Sequence, residues 1–201
     1  MNDDARHTLL TRRRLDTHEE IHQAALELFE EQGVRETTVR QIADRAGVSH
    51  RTFFRYFTSK EQAALPGQRR LLRMIDTLAV TGTDLPSVLR DVEAAAEAAM
   101  AGENDPELEE HRRVVRLLAR EPDLQALAAS QERALAARLR ARLAEQFQGR
   151  DPMTVLLVAE LAVAVWRTSW DRWGELALEG EVRDPVEVYR RCREELRRVV
   201  G

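Results

Sequence analysis

Thr38–Glu61 reads TVRQIADRAGVSHRTFFRYFTSKE, and its order of caps, small residues and aromatics specifies two short helices joined by a tight turn. Thr38 and Gln41, three residues apart, form a capping box that starts a helix running through Ala46. Ile42 supplies the core contact of that helix, and Ala43 is small where two steeply crossing helices must approach. Gly47 suits the turn because glycine alone takes a left-handed conformation without steric cost. Val48 is expected to pack beneath the turn and Ser49 to cap the next helix, with Phe53 and Phe57, four residues apart, anchoring its inner face. That leaves His50, Arg51, Thr52 and Arg55 outward, the arrangement of a helix-turn-helix that enters a DNA major groove.

Charge supports a local rather than a general attraction to polyanions. The 201-residue chain carries a formal charge of −4, yet Arg40–Lys60 holds Arg40, Arg45, Arg51, Arg55 and Lys60 against Asp44 alone, which is +4 and leaves −8 elsewhere. Such a patch on an acidic body suits targeted phosphate contact. Lys60 is the single lysine of the chain. The longest apolar run, around Thr154–Trp166, is interrupted by Glu160 and falls short of the roughly 18 residues of a membrane span. The start MNDDARHTLLTRRR has no apolar core of a secretory signal, and Cys192 has no intrachain partner, so a cytoplasmic protein, on the nucleoid when bound to DNA, is expected.

Outward from the motif the pattern is helical throughout, with no strand periodicity. A first helix is expected over Arg13–Gln32, burying Ile21, Ala25, Leu28 and Phe29 and ending at Gly33. Ser59 with Gln62 caps a fourth helix, which Pro66-Gly67 should break before a segment Gln68–Ala79. Helices then follow over Ser87–Met100, Pro106–Ala119, Pro122–Gln148, Pro152–Trp173 and Pro185–Val199, four of them opened by proline. The expected fold is all-α, with nine or ten helices: an N-terminal three-helix DNA-binding domain over 1–60, then a helical domain over 61–201.

The arrangement resembles the TetR family of bacterial transcriptional regulators. AALELFEEQG, TTVRQIADRAGVS and TFFRYFTSKE stand in family order and spacing over about Ile21–Glu61; beyond them the resemblance is one of length and helicity. It implies that Arg40 and the trio His50, Arg51 and Thr52 face the major groove, where Arg fits the paired acceptors of guanine and the Thr methyl can meet thymine. It also implies that Thr38, Tyr56 and Lys60 contact phosphates, with Arg55 on the same outward face. Arg55 stands where the family often has an aromatic residue, Phe54 lacks the hydroxyl a tyrosine would offer there, and Pro66-Gly67 interrupts a helix that is usually continuous.

A rival signal lies in the first helix. His18-Glu19-Glu20-Ile21-His22 matches H-E-x-x-H, in which two histidines one turn apart bind zinc and the glutamate is a general base. Ala25 and Leu28 instead continue a core stripe, with Leu28 where a third ligand would follow. The reading adopted is therefore two surface histidines flanking Ile21, with no metal, no cofactor and no enzyme. A zinc hydrolase is the remote alternative.

The resemblance gives the remaining roughly 140 residues a dimerising and small-molecule-sensing role. Met74, Leu78, Met100, Val115 and Leu118 would offer a mostly apolar lining, which favours a hydrophobic or amphipathic effector. Glu160, Trp166 and Arg167 are further lining candidates, although Glu160 and Arg167, seven residues apart on nearly one face, suit a partly buried pair better. Trp170 and Trp173 are assigned to a dimer interface. The function expected is a homodimeric repressor on a palindromic operator, released by ligand through a hinge at Pro66-Gly67; an activator or ligand-independent regulator on the same fold is the alternative.

Overall fold

The computed structural model describes residues 3–65, 69–101, 105–146, 151–181 and 183–200. Among these, ten helices follow one another: α1 Asp3–Glu36, α2 Val39–Arg45, α3 His50–Tyr56, α4 Lys60–Ala64, α5 Arg69–Thr77, α6 Leu85–Ala101, α7 Asp105–Leu118, α8 Pro122–Gln146, α9 Pro152–Leu178 and α10 Pro185–Val200. The fold is all-α. The chain divides into two compact units, Met1–Pro66 with Arg116–Leu127, and Gly67–Val115 with Ala128–Gly201.

In the first unit α1 starts ten residues earlier than its apolar stripe, at Asp3 instead of Arg13, because no helix breaker intervenes and the added stretch is rich in helix-forming Ala, Leu and Arg. Its regular part ends where expected, at Gly33, whose φ of 83° leaves the helical region. Ile21, Ala25, Leu28 and Phe29 are all buried. The buried Thr37 hydroxyl donates to the Gly33 carbonyl at 2.8 Å and fixes the exit toward α2. Pro66-Gly67 lies outside the described residues; on either side α4 and α5 are separate helices.

The second unit is held by α6, α9 and α10, with α5 on α6. One core gathers Ile75, Leu78, Val88, Val92, Leu139, Leu143, Val158 and Ala159, and another gathers Ala96, Met100, Val165, Val186 and Tyr189. Met74 and Trp166 touch both. α9 passes Trp173 and runs to Leu178. Gly174 does not stop it: a Cβ there would lie 2.7 Å from Val115 Cγ1, so the glycine lets α7 and α9 approach. The true stop is Gly180, at φ 85°, with Gly180 N–H donating to Ala177 and Glu181 N–H to Leu176, a Schellman closure.

Three expectations are corrected here. α9 contains an 18-residue window of mean hydropathy 1.3 with no more than two charges, so Glu160 does not keep it below the length and apolarity of a membrane span; 39% of that window is buried inside the protein, where Val158, Ala159 and Ala162 belong to the core. Glu160 is exposed and forms no pair with Arg167, which instead reaches Glu132 of α8 at 3.6 Å, because the neighbouring helix offers a closer carboxylate than two turns along its own. Trp173 is 1% exposed, donates its indole N–H to the Arg183 carbonyl at 2.9 Å and lies under the Arg112 guanidinium, so its side chain is core and not a dimer surface.

α10 is fastened to α6 by charge. Glu93, whose side chain is 2% exposed, takes Arg197 at 2.6 Å and lies 3.4 Å from Arg193; Glu97 takes Arg190 at 2.7 Å and also Arg193. The arginines hold the Glu97 carboxyl below its usual range, Arg190 above all. Buried Tyr189 donates to the Glu93 carbonyl at 3.4 Å.

Candidate nucleic-acid interface

α2 starts at the expected capping box: the Thr38 hydroxyl accepts from Gln41 N–H at 3.2 Å, and Gln41 Oε1 accepts from Thr38 N–H at 2.8 Å. It ends in a Schellman closure, with Gly47 N–H on Asp44 and Val48 N–H on Ala43, made possible by the φ of 65° at Gly47. Ser49 then caps α3 by accepting from Thr52 N–H at 3.0 Å. Phe53 is 0% and Phe57 4% exposed, beside the buried Ile42 and Ala43. Their burial orients α3, which has only seven residues and little helical stability of its own.

The opposite face of α3 carries His50, Arg51 and Arg55, all exposed, with Thr52 and Tyr56 half-buried on its flank. Arg40 projects from α2 with 87% of its side chain exposed and a loose 3.8 Å approach to Asp44. Arg55 leans over the Tyr56 ring at 5.1 Å. The eight residues expected at DNA thus share one unit, from the start of α2 to the start of α4. Their charges are not equally available.

Lys60 donates its ammonium hydrogens to the carbonyls of Val34 and Thr37, the latter at 2.8 Å, tying α4 to the end of α1. Arg45 bridges from α2 to α1, donating to Glu31 at 2.9 and 3.0 Å and to Glu27 at 3.2 Å. That bond holds the Glu31 carboxyl below its usual range and the Arg45 guanidinium above it. Of the five positive residues in Arg40–Lys60, two are internal fasteners, and Arg40, Arg51 and Arg55 remain to face a polyanion.

The H-E-x-x-H histidines are not surface residues, which corrects that reading. His22 is 1% exposed, and its Nδ1 donates to the Ala63 carbonyl at 2.6 Å, fastening α1 to α4. His18 is half-buried and packs on the Phe57 ring at 4.3 Å, near Tyr56. The sequence signal for this was the apolar stripe itself: His22 falls beside Ile21 and one turn before Leu26, on the face turned inward.

The residues expected to line an effector site divide. Met74, Leu78, Met100 and Trp166 converge on the two apolar cores, and Val115 sits against Gly174. Leu118 falls in the first compact unit, and Glu160 faces solvent. Trp170 stacks flat on His111 at 4.3 Å and meets Trp166 and Trp173 edge-on. Burial pushes the half-buried Glu132 carboxyl up against the opposing pull of Arg167. An apolar groove lined by Leu85, Val88, Leu143, Val155 and Val158 was not foreseen, since its walls come from three helices far apart in sequence.

Comparison with known proteins points the same way. The family profile described as bacterial regulatory proteins, tetR family, matches residues 21–63, which contain all eight candidate DNA-facing residues. Over 49 residues, 24% of this chain and 22% of the relative, the sequence is 53% identical to the HTH-type transcriptional regulator TcmR of Streptomyces glaucescens. Over 115 residues, 57% of this chain and 58% of the relative, it is 34% identical to the mycofactocin biosynthesis transcriptional regulator MftR of Mycobacterium tuberculosis. The chain therefore spans about a fifth of one relative and somewhat over half of the other. The fold is that of a TetR-family transcriptional regulator from Syntrophomonas wolfei, with a TM-score of 0.56 at 16% identity over 94% of this chain and 97% of that one. Residues 21–63 are thus similar to the bacterial regulatory proteins of the tetR family.

Proposed function

We propose that this chain is a member of the TetR family and a sequence-specific DNA-binding transcription regulator of the cytoplasm, a homodimer that represses from a palindromic operator and is released by a hydrophobic or amphipathic small molecule. The observation that carries the DNA-binding reading is the outward face of α3: His50, Arg51 and Arg55 are exposed, and among the described residues no carboxylate is paired with Arg51. An unpaired guanidinium on a rigidly anchored helix suits the O6 and N7 acceptors of guanine. Arg40 reaches the same groove from α2 and Thr38 and Tyr56 flank it as phosphate contacts, while Lys60 acts from within by fixing the start of α4.

Two-fold symmetry supports the dimer, since a seven-residue helix reads few base pairs and a symmetric pair reads two half-sites about one turn apart. Exposed Met153 and Leu157, one turn apart on α9, offer apolar surface for a symmetry mate. Ligand release requires differential affinity for two states, and the break between α4 and α5 is where the DNA-reading heads would respace. The close filling around Met100, 1% exposed, favours the second reading, a regulator that answers to no ligand.

The test is footprinting of duplexes recovered from a randomised library, with sedimentation to fix the number of chains bound. A two-fold footprint occupied by two chains and lost in Arg51→Ala is expected; binding without sequence preference would overturn the reading.

A further inference from the structure

We propose that Phe54 reads a thymine of the operator through its 5-methyl group. This rests on α3 being the helix that enters the major groove, and adds to it a base that hydrogen bonding does not specify.

Phe54 is 48% exposed, although its neighbour Phe53 is fully buried. At about 100° per residue, His50, Phe54, Arg51 and Arg55 fill one arc of about 140°, with Phe54 angularly between His50 and Arg51 and one turn further along. It is the apolar member of a face otherwise made of hydrogen-bonding groups. The phenyl is also held in place: the His50 ring meets it edge-on at 4.8 Å and Phe53 at 5.3 Å, so its orientation is set before any partner arrives.

A phenyl on that face has no donor or acceptor for a base edge or a phosphate. Among the groups displayed in the major groove, the thymine methyl is the apolar one, and burying it against a phenyl removes both surfaces from water. The neighbouring Arg51 is suited to guanine, so the pair Arg51 and Phe54 would specify a guanine and a thymine within one half-site. An exposed phenyl gains nothing from water, whereas against a thymine methyl in the groove it buries apolar surface.

The experiment takes duplexes recovered by the full-length protein from a randomised library and replaces each thymine in turn with deoxyuridine, which deletes the methyl and leaves every hydrogen bond. One position per half-site should weaken binding roughly fourfold, the share of one buried methyl. Phe54→Ala should bind more weakly and be indifferent to that replacement, while Phe54→Leu, still apolar, should retain part of the sensitivity. Equal sensitivity in Phe54→Ala, or none at any thymine with the native protein, overturns the proposal while leaving α3 as the DNA-reading helix. Recovery of no preferred sequence overturns the DNA-binding reading and this one with it.

Discussion

Two helices of this protein are rich in arginine, and they spend it in opposite ways. On α10, Arg190, Arg193 and Arg197 reach the carboxylates of Glu93 and Glu97 on α6, and Glu93 is withdrawn from water in doing so. On α3, Arg51 and Arg55 stand in water with no carboxylate paired to them among the described residues, while two nearby cations, Arg45 and Lys60, are used up inside the unit. Counting positive residues does not separate these cases. What separates them is whether a counter-charge was built into the same chain, because a guanidinium whose charge is already met by carboxylates must give up that pairing, or share it, to engage a phosphate or a guanine.

The comparison breaks most severely if α3 does not depend on its buried side. Phe53, at 0% exposure, is the anchor, and Phe53→Ala should cost about 3 to 5 kcal/mol in chemical denaturation. A loss under about 1 kcal/mol would mean that the reading face is not held by the core beneath it. On the other helix, Glu93→Ala removes the buried carboxylate that Arg193 and Arg197 share, leaving Arg193 on Glu97 and Arg197 half in water, and a loss of about 1 to 3 kcal/mol is expected. If Glu93→Ala is as stable as the native chain, the α6–α10 charges are decoration and the contrast with α3 has no energetic content.

Arg51→Ala tests the other half of the contrast. Stability should stay within about 0.5 kcal/mol, as for surface changes without partners, while affinity for a selected duplex falls by roughly 1 to 3 kcal/mol. The matching change on α10, Arg198→Ala, removes an exposed arginine whose partner Glu195 lies on the same helix, and should leave DNA affinity unmoved. Comparable losses of affinity in both variants would reduce Arg51 to general electrostatics.

These regions also differed in how far the amino-acid order could be read. The capping box, the Gly47 turn, the Ser49 cap and the Phe53–Phe57 spacing are all decided within five residues, so local rules sufficed. The α10 network joins Glu93 to Arg197 across 104 positions, and no spacing rule reaches that far. The same cause explains the errors. Arg167 was paired along its own helix because Glu132, its actual partner, lies on α8; Trp173 was set at an interface because the Arg183 carbonyl that takes its indole follows a turn whose course was not readable. His22 differs: its polarity suggests the surface, but its position in an inward stripe prevails because a carbonyl 41 residues away satisfies its ring.

The finest test of the contrast is acid and salt, where the Glu31–Arg45 and Glu97–Arg190 pairs should part company. Both glutamates are held below the usual carboxylate range by arginine, so each contributes stability that is complete above the unfolded value of about 4.3 and is lost as pH falls through the lower native value. Their solvent exposure differs: the Glu31 and Arg45 side chains are 54% and 39% exposed, whereas Glu97 is 23% exposed and is held by exposed Arg190, at 57%, and by Arg193, at 18%. Mobile ions screen the first pair well and the Glu97–Arg193 contact poorly. Denaturant midpoints between pH 3 and 6 should therefore lose less on acidification in Glu97→Gln than in the native chain, at low and at high salt alike. Glu31→Gln should show that difference at low salt only. Equal salt sensitivity of the two variants would mean that the α6–α10 network is as open to water as the α1–α2 fastener, and the distinction between a withdrawn and a surface arginine would have to be argued from Glu93 alone.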